Sequence, residues 1–266
     1  MDSVKYHLSE QSGIQLIDAD YQKFAFSRHY HLDFHIGLIQ RGVQKFHHSG
    51  SSHKVGQGQI IVMPPDELHD GHSELKSGYQ VKVFSIRPEW FADQLDLSNK
   101  QTTAHFTQLI IDDPTLFHQL SYLHSQLMHT QISQLAQDCL PFESFEQMLD
   151  QYGTIKPNIA QPLGKTTIQV LREYLMENLD QPIRLNALAD MCQLTPSQFQ
   201  RHFKARMGIT PYAWLTRLRM EHALSLLLHG VNSVNVALRV GFYDQAHFVK
   251  AFKTTYGATP GQINCH

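Results

Sequence analysis

Phe199-Gln200-Arg201-His202-Phe203-Lys204, with Gly208, Thr210 and Pro211 behind it, is answered 49 residues later by Phe248-Val249-Lys250-Ala251-Phe252-Lys253, with Gly257, Thr259 and Pro260 behind it. Both phenylalanines, the second lysine, the glycine, the threonine and the proline keep one offset. Just upstream the offset is 48, pairing Ala189 with Ala237, Gln193 with Gly241 and Leu194 with Phe242. The second copy therefore carries one more residue in the turn between its two helices. A helix, a turn and a second helix repeated in this way predict two helix-turn-helix units in tandem, and hence a chain that places helices in DNA grooves.

Working outward, the spacing predicts helices at about 166–180, 185–192, 196–207, 211–229, 233–240 and 245–256. Thr195 before Pro196 offers a capping hydroxyl and then a proline at the first helical position. Gly208 and Gly257 stand where a helix stops in a left-handed residue. In the first unit Phe199 and Phe203 are one turn apart and face the core with Leu188 and Leu194. Ser197, Gln200, Arg201 and Lys204 share the other face at i, i+3, i+4 and i+7. There Arg201 suits guanine, Gln200 adenine, and Lys204 a phosphate. The matching positions of the second copy are Ala246, Val249, Lys250 and Lys253, with Gln245 and His247 at the helix start. The first unit is expected to supply most of the hydrogen-bonded readout and the second more of the phosphate anchoring. A solvated polar face is the bland alternative for either helix.

The net charge of −2 is unevenly spread. Residues 1–164 hold 11 Lys+Arg against 18 Asp+Glu, and residues 165–266 hold 11 against 6. A basic C-terminal part suits contact with phosphates. At 266 residues, with 42% hydrophobic and 17% charged side chains, the chain is globular and long enough for two domains. It has no apolar run of membrane-spanning length and no signal-peptide pattern at its start. Cys139, Cys192 and Cys265 form no CxxC, which reads as reduced thiols in a cytoplasmic protein.

The front of the chain reads as β-rich. Ile36-Gly37-Leu38-Ile39, Ile60-Ile61-Val62-Met63 and Val81-Lys82-Val83-Phe84-Ser85-Ile86 alternate with turn residues, and His47 to His53 reads as a hairpin tip. The expected architecture is a small antiparallel barrel or sandwich. From Pro114 the period turns helical. Phe117, Leu120, Leu123, Leu127, Ile132 and Leu135 form one stripe, either core or partner seam, which Pro141 is expected to end before a short helix from Phe142 to Tyr152. Residues 153–164 read as a linker. The domain plan is therefore 1–152, with helices from about 114, then 153–164, then 165–266, in the α+β class.

With these residues in view, the C-terminal part resembles the AraC/XylS family of bacterial transcription regulators. The run is Ala237-x-x-x-Gly241-Phe242-x-Asp244-Gln245-x-His247-Phe248-x-x-x-Phe252-Lys253-x-x-x-Gly257-x-Thr259-Pro260, and the resemblance covers about 100 residues. The family often has serine where this chain has Ala246 and arginine where it has Lys250, which bears on base preference. The front resembles the same family's cupin-like sensor barrel, through Arg28-His29-Tyr30-His31, Ile36-Gly37, Gly42 and the run Gly58 to Gly71. In cupins an HxH pair, a glutamate and a later histidine bind metal. His29, His31 and His69 match three of those ligands, and His35 stands where the glutamate would be.

The resemblance implies a sequence-specific regulator of a double-stranded DNA operator, an activator by family analogy, that engages RNA polymerase. It implies a homodimer held through the barrel or helices 114–140. A small-molecule effector bound at His29, His31 and His69 would control it, with no catalytic residue and no required cofactor. Two alternatives stay open: a metal sensor using His29, His31, His35 and His69, and a cupin enzyme joined to a DNA-binding domain.

Overall fold

Residues such as Phe34, Ile36 and Leu38 alternate with His35, Gly37 and Ile39 along one strand, so this strand must serve two different faces. The computed structural model describes residues 2–8, 13–97, 104–128, 132–155 and 160–263. Residues 156–159 of the expected linker, and Cys265, lie outside them. Among the described residues, Cys139 and Cys192 are not joined in a disulfide.

The front of the chain forms two antiparallel sheets. Among the described residues ten strands, β1 to β10 in chain order, are Ser3–Leu8, Ile14–Tyr21, Phe26–His29, Phe34–Arg41, Val43–His48, Ser51–Gly56, Ile60–Met63, His69–Ser73, Tyr79–Ile86 and Ile110–Ile111. One sheet runs β1-β2-β9-β4-β7-β10 and the other β3-β8-β5-β6. The expected hairpin tip is the β5–β6 turn at Ser49 and Gly50, both with positive φ. A core of Ile17, Ala19, Tyr21, Ile39, Phe46, Val55, Ile61, Met63, Tyr79 and Val81 packs together here.

The described helices of this part are α1 Pro88–Gln94, α2 Pro114–Met128 and α3 Gln134–Tyr152. The α2 stripe of Phe117, Leu120, Leu123 and Leu127 is buried within this chain, so that stripe is core, and a seam for a second copy would need another face. Buried His124 sits edge-on to Phe84 of β9 at 5.1 Å and reaches the Ile17 carbonyl at 3.2 Å. On α3, Phe145 packs edge-on against Phe84, Trp90 and Phe91. The expectation that Pro141 ends a helix is corrected here: α3 runs straight through it. Its burial on both sides of the proline, through Leu135, Ala136 and Cys139 and then Phe145, Met148 and Leu149, outweighs the backbone bond that proline removes.

The chain divides into two compact units, one of residues 1–130 with 140–158, the other of residues 131–139 with 159–266. The first turns of α3 thus belong with the C-terminal helices. Those helices are α4 Lys165–Glu177, α5 Leu185–Met191, α6 Pro196–Met207, α7 Pro211–Leu228, α8 Ser233–Arg239 and α9 Gln245–Tyr256. Their order and bounds follow the sequence expectation closely. Four residues separate α5 from α6 and five separate α8 from α9, as the shift of offset requires. Thr195 closes a capping box with Gln198 on α6, and Asp244 caps α9 through the His247 amide. Gly208 and Gly257, at φ of 72° and 74°, stop the two helices in the left-handed region. Long α7 serves both units. Its Trp214 meets Phe203, while Met220, Ala223 and Leu227 join Val236, Phe248 and Phe252. No described helix is long and apolar enough to cross a membrane.

Candidate ligand cavity and nucleic-acid interface

Between the barrel strands lies a cavity of about 320 Å³. Its wall is mostly apolar, with Ile17, Ala19, Phe26, Phe46, Ile61, Met63, Val81 and Val83 among its lining residues. The alternation of β4 and β9 builds it: His35, Gly37, Val81 and Val83 point in, while Ile36 and Phe84 are buried away from it. Into this apolar space the chain inserts four imidazoles, those of His29, His31, His35 and His69.

The four rings form one connected cluster, which His35 joins through His31. His31 stacks on His35 at 3.5 Å between centroids, and lies 4.9 Å from His29 and 4.7 Å from His69. His29 and His69 are 4.4 Å apart. The side chain of His35, which stands where the glutamate would be, therefore joins the cluster. Burial, then the neighbouring imidazoles, push His31 down to about 3 and His35 down to about 4; His69 is lowered by burial as well. Rings this hard to protonate stay neutral at neutral pH.

Two of them have their tautomer set. His29 Nδ1 lies 2.8 Å from the Ser27 carbonyl and His69 Nδ1 lies 2.8 Å from the Glu67 carbonyl. A carbonyl only accepts, so each Nδ1 carries a proton, and in the neutral ring Nε2 is the acceptor. His31 Nδ1 is buried with no hydrogen-bond partner. One ligand atom from each of His29, His31 and His69 lies within 4.8 Å of the others. Nitrogens of a tetrahedral zinc site stand roughly 3.3 Å apart, inside the limit within which these three atoms lie. The donor set and the carbonyl-facing Nδ1 atoms fit a transition metal. Carboxylates close by in sequence have other partners: Asp33 accepts from Ser85 Oγ at 2.9 Å, Glu67 bonds His48 at 3.0 Å and Asp70 bonds His47 at 3.1 Å.

The two reading helices differ in availability. On α6, Phe199 and Phe203 are buried as expected, but so are Ser197, Gln200 and Arg201, at 3%, 5% and 9% exposure. Only Lys204 of that expected face is exposed. Gln200 Nε2 donates to the Cys139 carbonyl at 3.0 Å. One residue earlier, Asp138 Oδ2 accepts from the Leu185 amide at the start of α5 at 2.9 Å, and Oδ1 pairs with Arg184 at 3.3 Å. The α6 face expected to read DNA, with a solvated face as the alternative, is thus buried here apart from Lys204. Its i, i+3, i+4 pattern was right about which residues share a face, and the Cys139 carbonyl of α3 meets that face at Gln200. On α9 the order is reversed: Gln245, Ala246, His247, Lys250 and Lys253 are all exposed, over buried Phe248 and Phe252. Gln245 Nε2 donates to Ser233 Oγ at 3.1 Å. Sequence reasoning missed Asp138 and Cys139, because nothing local pairs them with residues 46 or 61 positions away.

Comparison with known proteins bears on both regions. Residues 11–145, just over half of the chain, match the profile described as an AraC-like ligand binding domain, and residues 188–264 match a helix-turn-helix domain. A HTH-type transcriptional regulator of Bacillus subtilis, YbfI, is 23% identical over 84% of this chain and 81% of its own length. The thermoregulatory protein LcrF of Yersinia pestis is 31% identical over 111 residues, 41% of each chain. Among solved structures, unsaturated fatty acid bound ToxT from Vibrio cholerae covers 96% of this chain and 95% of its own, at 16% identity and a TM-score of 0.40.

Proposed function

This chain belongs to the AraC family of DNA-binding transcription regulators with an N-terminal ligand-binding domain, and from that premise we propose how it works. A small organic effector occupies the barrel cavity, its apolar body against Phe26, Phe46 and Val81 and its polar group on His29, His31 and His69. The Nε2 atoms of His29 and His69, whose Nδ1 atoms face backbone carbonyls, suit a hydroxyl or phenol that donates to them. The operator is read by α6 through Ser197, Gln200, Arg201 and Lys204, and by α9 through Gln245, His247, Lys250 and Lys253. The chain acts in the cytoplasm as a homodimer, activates transcription through contact with RNA polymerase, and performs no catalysis.

The observation that carries this reading is the exposed face of α9, which presents two cations and two groove-reaching side chains on a capped helix with its own phenylalanine core. Selecting genomic fragments on the full-length protein tests it. A recurrent motif whose binding weakens steeply with salt is expected. Fragments enriched no better than scrambled DNA at any salt concentration would refute it.

A metal-sensing role for the same barrel has a specific observation behind it, the three ligand atoms of His29, His31 and His69 and their carbonyl-held Nδ1 atoms. These residues, with His35 stacked alongside, would hold a borderline divalent ion such as zinc, iron, nickel or copper, which would supply a charge on which an effector's donor atom settles. Elemental analysis of tag-free protein decides between the two. Under the organic-effector reading, metal is substoichiometric and a chelator leaves the melting temperature unchanged. Stoichiometric metal, with a chelator-induced drop in melting temperature that His29→Ala abolishes, would install the metal sensor instead.

A further inference from the structure

The backbone gives no reason for a glycine at position 37. It lies inside β4, its φ is not positive, and a Cβ placed on it would meet Val81 Cγ2 at 3.4 Å and Ile61 Cβ at 3.8 Å, ordinary packing distances. Glycine in a strand interior packs nothing, and it marks places where another group approaches closely. The cross-strand row shows what is missing. Tyr6, Ile17, Val83, Gly37 and Ile61 stand opposite one another on β1, β2, β9, β4 and β7, and all five line the cavity. Every strand of that row except β4 has a side chain to offer. Two residues back on the same face of β4 stands His35, stacked on His31. The bare strip over Gly37 therefore runs up to the imidazole cluster.

Aromatic rings bound the same space. Phe26 stacks on His29 at 5.4 Å and stands edge-on to Tyr21 at 5.1 Å, and all three line the cavity. Such a wall favours a flat ring, which can pack offset or edge-on against it. Charge narrows the ligand further. Among the described lining residues there is no lysine or arginine, and the one carboxylate residue, Asp70, holds the His47 amide at 2.7 Å and the His47 ring at 3.1 Å. A carboxylate or an ammonium group entering here would leave water without a partner of opposite charge. The neutral rings of His29 and His69 offer acceptors at Nε2, so the matching polar group is a donor. At about 320 Å³ the cavity is at the small end of ligand pockets, roughly 300–1,000 Å³, which suits one ring with short substituents.

We propose that the effector is an uncharged, one-ring phenol or aryl alcohol, its ring lying over Gly37 between Val83 and Ile61 and its hydroxyl donating to a histidine Nε2, and that carboxylic acids of the same size are rejected. The proposal rests on the organic-effector reading of this cavity given above, and adds the ligand's class and the position that makes room for it.

The test is calorimetric titration of the full-length chain at neutral pH with four probes: para-cresol, para-toluate, para-methylanisole and hexanol. Para-cresol is expected to bind about tenfold or more tightly than para-toluate, which brings an unpaired charge, and about tenfold more tightly than para-methylanisole, which has no proton to donate. Hexanol, with a hydroxyl but no ring, binds more weakly than para-cresol. Gly37→Leu fills the strip and abolishes para-cresol binding. Gly37→Ala fills less of it, weakens binding, and carries the test if the leucine variant does not melt cooperatively. Para-toluate binding as tightly as para-cresol, and weakening in the Gly37 variants, would overturn the uncharged class and leave the organic-effector reading standing. Para-cresol binding that ignores both Gly37 variants would place the ligand elsewhere and overturn the proposal. Binding of none of the probes would overturn it too, and the elemental analysis described above would then decide between the organic-effector and metal readings.

Discussion

Lys250 and Lys253 stand three residues apart on α9, exposed and on one face, so each can reach a phosphate of the same backbone. Counterion release sets the size of the effect. Each neutralised phosphate contributes a slope of about −0.9 to log affinity against log salt. A fourfold rise in salt, from about 50 to about 200 mM, therefore weakens binding by about 3.5-fold per contact. Lys250→Ala and Lys253→Ala should each flatten the slope by about 0.9, and the double variant by about 1.8. Because phosphates carry no sequence information, the ratio of specific to scrambled affinity should not move. Gln245→Ala provides the contrast: the slope holds and the ratio falls, since that amide reaches for a base edge. The assay is fluorescence anisotropy on an enriched fragment and its scrambled partner at four salt concentrations. Lys253 also lies in the last turn of α9, where a cation favours the helix end by roughly 0.3–1 kcal/mol, so circular dichroism must show the helix intact. A slope that ignores both lysines, or a lysine variant that changes the specificity ratio, would refute the assignment of α9 as a phosphate anchor.

Phe203→Ala should destabilise the first helix-turn-helix unit by roughly 3–5 kcal/mol, because a ring at 1% exposure between Phe199 and Trp214 leaves a cavity; thermal melting checks it, and a loss under about 1 kcal/mol would contradict the packing. His124 is pushed down to about 4, chiefly by burial, whereas the unfolded chain protonates it near 6.5. The unfolded state then binds the extra proton between those values, so stability is full above 6.5 and falls by about 3 kcal/mol as pH drops to 4. Denaturant titrations at several pH values should show that His124→Gln lacks this fall; an identical pH profile would place the effect elsewhere.

The tandem units could be read from sequence because everything that defines them is local or repeats. Phenylalanines one turn apart, a capping threonine before proline and a glycine at the stop each act within a few residues, and their recurrence removed the ambiguity of any single helix. The barrel strands were legible for the same reason, through alternation and turn residues. The coverage of α6 was not. A face of Ser, Gln, Arg and Lys looks identical whether water, DNA or a second helix lies on it, and Asp138 is one polar residue among many on α3. Pro141 misled because its local penalty is real, yet burial on both sides of it carried the helix through. For His35, a ligand position was readable from the resemblance, but its direction depended on the β4 register against β7 and β9, which only pairing reveals.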